Sequence, residues 1–149
     1  MIQRIQSVYL LLAAGAFGGN FGLPYLTTTS DNPATAIPQL SDGVLNIFDN
    51  MGLLGLTIMG LSLSFAAIFL YKNRASQGKM TGLGMLCGVL LLALSLVALL
   101  GVQKNLPEGG SFSYGAAWAA PVLGLVFLWL AGKAIKKDEK LVRSMDRLR

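Results

Sequence analysis

Apolar residues gather into four long stretches separated by polar connections, at about residues 7–26, 52–71, 80–100 and 114–134. A helix crossing a bilayer needs about 20 mostly apolar residues, each adding about 1.5 Å of rise. Each stretch meets that length. None holds Asp, Glu, Lys or Arg except Lys133 at the last edge, whose long stem lets its ammonium snorkel to water. The third stretch is the richest in leucine. The first carries Gly15, Gly18, Gly19, Asn20, Gly22 and Pro24 in its second half. Pro24 is expected to end that helix, and Pro121 to kink the fourth by freeing the carbonyl near Ala117.

The connections limit how these helices pair. Residues 72–79 form a short basic turn, and residues 101–113, with Pro107, Gly109 and Gly110, a second short one. Both force antiparallel neighbours. The expected fold is an all-α, four-transmembrane-helix, up-down-up-down bundle in one domain. The connection at residues 27–51 is the longest. It opens on a run of Thr, Ser, Asn and Pro that reads as turns. Val44, Leu45 and Phe48 then share one face of an expected short interfacial helix, capped by Ser41 or Asp42. Asp49 or Asn50 is a natural cap for the second membrane helix. This loop reads either as an outer contact surface or as a connector with an interfacial anchor.

Charge fixes an orientation. Only 13% of residues are charged, about half the usual share in a soluble domain. Of the twelve basic residues, eleven fall on one side when both termini are cytoplasmic, and only Lys104 falls outside. The net charge of +5 is then a statement of topology, and nucleic acid is not an expected partner. The start, with Arg4 before an apolar run and small residues at 13–16, also has the layout of a signal peptide. The run continues to about Leu26, longer than such a segment, so it is read as a retained membrane helix.

Inside lipid, helices associate through close packing at small residues and through hydrogen bonds. The candidate packing residues are Gly15, Gly18, Gly19 and Gly22, whose spacing makes two overlapping seams, together with Asn20. Similar pairs occur at Gly60/Ser64, Gly78/Gly82, Gly84/Gly88 and Ala120/Gly124. Tyr9, Tyr25, Tyr71, Tyr114 and Trp129 include several residues placed for an interfacial belt. The chain has no His and one Cys, Cys87. No acid–base pair, nucleophile constellation, metal spacing or phosphate loop is present. No catalytic residue, cofactor or metal is therefore expected, and the chain is read as no enzyme.

The last 17 residues hold a different pattern. Leu141, Val142, Met145 and Leu148 share a helical face beside Arg143 and Arg147, giving a basic amphipathic helix over residues 135–149. That stripe faces either a partner protein or the inner leaflet.

The opening Met1-Ile2-Gln3-Arg4-Ile5-Gln6 and the closing Lys136-Lys137-Asp138-Glu139-Lys140-Leu141-Val142-Arg143-Ser144, then Asp146-Arg147-Leu148-Arg149, resemble a family of small four-span inner-membrane proteins of Bacteroidetes. That family is a domain of unknown function. The resemblance implies a Gram-negative inner membrane and importance for Gln3, Arg4 and the tail at the cytoplasmic face. It brings no activity or ligand. The expected function is an accessory or scaffold subunit of a membrane assembly. Its expected partners are the lipid bilayer and another membrane or membrane-associated protein, with a homo-oligomer compatible. The alternative is a small self-associating transporter or channel.

Overall fold

A computed structural model describes residues 2–29 and 31–146. Four α-helices dominate them: α1 (Ile2–Gly19), α2 (Met51–Phe69), α3 (Arg74–Lys104) and α4 (Ala119–Asp146). Helix α1 packs against α2 and α4, and α3 closes the bundle against the same two helices. Three segments are long and apolar enough to cross a membrane: Met51–Phe69, Arg74–Lys104 and Ala116–Val142.

The first helix is shorter than its apolar stretch. Its apolar part is Ile5–Gly19. At its end Asn20, Phe21 and Gly22 donate to the carbonyls three residues back, each at 3.2 Å. This tightening, with Pro24 just beyond, stops the helix. Residues up to Leu26 are apolar for another reason: Tyr25 and Leu26 are buried in the loop layer. The basic turn is also shorter than expected. Asn73 caps α3 by accepting from the Ser76 amide at 3.1 Å, so Gly78 and Lys79 lie within the helix.

The bundle has an apolar core with a few polar side chains in it, and its outer surface is apolar too. Thr57, Ser64 and Gln77 are fully buried, whereas Val8, Leu11, Phe65, Leu86, Val97 and Trp129 are exposed. In water such a continuous apolar surface would drive aggregation; in lipid it is solvated. Two of the inner hydroxyls are satisfied by their own helices, whereas that of Thr57 has no partner among the described residues. Ser64 donates to the Gly60 carbonyl at 2.7 Å, and Thr81 to that of Gln77 at 2.9 Å.

At the centre lies Phe17 of α1, fully buried. Glycines from the other three helices line its ring. A Cβ added at Gly60 would stand 3.0 Å from it, at Gly124 3.1 Å and at Gly88 3.3 Å. The absence of three side chains makes the space that one aromatic ring fills.

The connections at the other end from the termini fold together. A three-stranded antiparallel sheet, ordered β2-β1-β3, joins β1 (Leu26–Thr27), β2 (Val44–Leu45) and β3 (Ser113–Tyr114). Val44 and Leu45 are thus a strand, and 3-10 turns at Pro33–Ala36, Pro38–Leu40 and Ile47–Asp49 replace the single interfacial helix. Proline and short hydrogen-bonding side chains favour turns over a helix there. Gly43 has φ +79° next to the Thr28 carbonyl, a conformation that glycine adopts without penalty. Tyr114 lies in β3 instead of opening the fourth helix. Because α4 starts at Ala119, Pro121 sits in its first turn. There the missing N–H has no helical partner to lose, so no kink arises.

Candidate functional site

The end carrying both termini is held by long-range bonds from polar side chains. Gln6 of α1 donates to the Ala134 carbonyl of α4 at 3.1 Å. Gln77 of α3 donates to the last-turn carbonyl of Ala67 in α2, also at 3.1 Å. Arg74 stands at the first position of α3, where a cation opposes the helix dipole. Asp138 of α4 compensates. Nη2 of Arg74 lies 3.0 Å from Oδ2 of Asp138 as an ion pair off the hydrogen-bond axis. Nη1 donates to the Asp138 carbonyl at 3.2 Å. Asp138 is buried, so the pair is shielded from most solvent screening.

This clamp fixes where the tail leaves the bundle. Helix α4 continues without a break to Asp146. Beyond the clamp Leu141 and Val142 are exposed. Val142 also walls an open notch of about 550 Å³ formed with Tyr71, Lys72, Asn73 and Arg74. Arg147 and Leu148 lie outside the described residues, as do the side chains of Arg4, Arg143 and Met145.

The candidate seam of α1 divides. Gly18 packs on Leu61 of α2, 3.5 Å from where its Cβ would be, and Gly19 meets only Leu23 of its own loop. Gly15 and Gly22 are exposed, and a Cβ at either would touch nothing. Asn20 is buried and accepts from the Tyr25 hydroxyl at 3.4 Å, while its Nδ2 has no partner among the described residues. The tightly packed glycines are instead those around Phe17.

At the opposite end the loops are cross-tied. Trp118 donates to the Tyr25 carbonyl at 2.9 Å and packs edge-on against its ring at 5.4 Å. Burial pushes the Tyr25 hydroxyl up to about 12, with the Asn20 hydrogen bond acting the other way. Asn32 joins the two loops through Ser111: Nδ2 donates to its Oγ at 2.8 Å and Oδ1 accepts from its amide at 3.0 Å. Gly115 passes so close to Pro24 that an added Cβ would collide with the Pro24 carbonyl oxygen.

Among the described residues no group of three His, Cys, Asp or Glu is placed to hold a metal ion, and Cys87 is buried. The surfaces that the described residues present are an exposed tail face, an outward glycine face and a polar cap. The family model described as Domain of unknown function (DUF4293) matches residues 2–148. The chain belongs to that family. No curated protein and no solved structure matches it. In this DUF4293 member the match reaches both the Gln6 contact with α4 and the Arg74–Asp138 clamp.

Sequence reasoning placed Arg74 and Asp138 only in charged runs and passed over Phe17 and Gln77. Gln77 had one local signal, a neutral amide beside an apolar stretch. Phe17 had none.

Proposed function

We propose that the chain is a non-enzymatic, four-span protein of a bacterial inner membrane of the Bacteroidetes type. In this reading both termini are cytoplasmic, and the protein serves as an accessory or scaffold subunit of a membrane assembly. Helix α1 supports a fourth span because its exposed face, with Val8, Leu11 and Leu12, is as apolar as those of the three longer helices. The two termini share one end with nearly all the basic residues, which supports their cytoplasmic placement.

The observation that carries the scaffold reading is the clamped tail. Arg74 and Asp138 fix the direction of a helix whose Leu141 and Val142 remain exposed. Such an element is pre-ordered for a partner, which lowers the entropy cost of binding. Purification of the full chain in several mild detergents, followed by mass spectrometry, should recover a stoichiometric membrane partner. A lone monomer in every detergent contradicts the reading.

The transporter or channel reading rests on Asn20, whose buried Nδ2 lacks a partner. Flux through reconstituted liposomes, abolished by Asn20→Leu, would support it. Flux that is absent, or indifferent to that change, removes it.

A further inference from the structure

Between α3 and α4, near the end with the termini, runs an open groove of about 350 Å³. Gly78, Thr81, Gly82 and Met85 form one wall, and Trp129, Gly132, Lys133 and Lys136 the other. The helices are antiparallel, so Met85 and Trp129 mark its deep end and Gly78 and Lys136 its mouth. Eight residues of each helix, seven rises of about 1.5 Å, make it about 10 Å long.

Its floor is not explained by packing within the chain. A Cβ at Gly78 or Gly82 would meet no atom within 4 Å, so packing within the chain does not require glycine at either position. These two residues keep a trough open. The charge at its mouth is unmatched as well. The Lys133 ammonium lies 3.6 Å above the Trp129 ring, and among the described residues no carboxylate pairs with it. It stands 14 residues into α4, about 21 Å along the axis. That is the edge of the fourth apolar stretch, where an exposed ammonium on a long stem reaches the level of the lipid headgroups. The cation–π contact holds it over the groove.

We propose that this groove binds one anionic phospholipid, its phosphate between Lys133 and Lys136 and an acyl chain passing Gly82, Met85 and Trp129. The site has the polarity of such a lipid, basic at the mouth and apolar in depth. A partner helix fits worse. The groove is only about two helical turns long, and a helix laid in it would bury an ammonium with nothing to neutralise it. The inference rests on the membrane reading and is independent of any protein partner.

The test uses native mass spectrometry of the full chain in detergent, titrated with phosphatidylglycerol or phosphatidylcholine. One phosphatidylglycerol should be retained in preference to phosphatidylcholine. Lys133→Gln with Lys136→Gln should lower that retention by about 30-fold. Gly82→Leu, which keeps both lysines and fills open space, should lower retention of either lipid. Lys137→Gln with Lys140→Gln removes equal charge elsewhere and should leave retention unchanged. Equal retention of the two lipids overturns the site, as does a loss that follows total charge regardless of position. Displacement by excess inorganic phosphate overturns the lipid as occupant. These results leave the scaffold reading standing, because it is tested by protein recovery.

Discussion

Arg74 holds Asp138 at two points, an ion pair of 3.0 Å to the carboxylate and a hydrogen bond of 3.2 Å to the main-chain carbonyl. The two residues are 64 positions apart. Their contact joins the start of α3 to the tail of α4 and sets the tail's direction.

Arg74→Ala should therefore loosen the tail before it unfolds the bundle. Loss of the charge-assisted hydrogen bond to the Asp138 carbonyl costs about 1.5–3 kcal/mol, and the buried carboxylate loses its counter-ion as well. Limited proteolysis should cut sooner after Lys140, while the helical signal of the spans is kept. The exchange of Arg74→Asp with Asp138→Arg should restore part of the protection. An unchanged cleavage rate in Arg74→Ala contradicts the clamp.

Phe17 makes the bundle intolerant of small additions. Gly124→Ala and Gly60→Ala each press a methyl group on the ring, and overpacking of this kind costs about 1–3 kcal/mol. Phe17→Leu combined with Gly124→Ala should cost less than the two single effects added together, because both act at one contact. Unfolding in graded detergent mixtures measures this. Strict additivity would show that the ring does not sense residue 124.

The cap carries a pH dependence. The Tyr25 hydroxyl titrates at about 12 in the folded chain, against about 10 when unfolded. A raised value favours the neutral form, so this stabilisation is complete below about pH 10 and is lost as pH rises through about 12. Tyr25→Phe should flatten that part of the stability curve relative to the parent chain. Parallel curves for the two proteins above pH 10 would contradict the assignment.

Gly115→Ala should strain the cap without dissolving the helices. Its new methyl must push the Pro24 carbonyl away, and with it the bonds of the Gly115 and Ala117 amides to Tyr25 and Pro24. Faster hydrogen exchange is expected at Leu26, Thr27 and Tyr114, with protection kept in α3. Uniform exchange across the cap before and after the change would show that Gly115 is replaceable.

The spans at α2, α3 and α4 were legible because lipid selects composition, and a run without charges is visible in any window. The end of α1 was not. Phe21, Leu23, Tyr25 and Leu26 continue the apolar run, but two of them are apolar for burial in the cap, and hydropathy cannot separate those causes. The strands were hidden because two residues carry no alternation. The glycine pairs were visible, but not which of them meet. Gly15 and Gly22 face outward, whereas Gly60, Gly88 and Gly124 converge on a phenylalanine from a different helix. Asp138 stood in a run of mixed charge, where nothing local marked it as buried.

The most direct test of the scaffold reading places a photo-crosslinking residue at Val142 in the full chain, within native membranes. The account predicts one discrete crosslinked protein product, reduced when Arg74→Ala releases the tail. Crosslinks to lipid alone, or a protein product equally strong without Arg74, would contradict it.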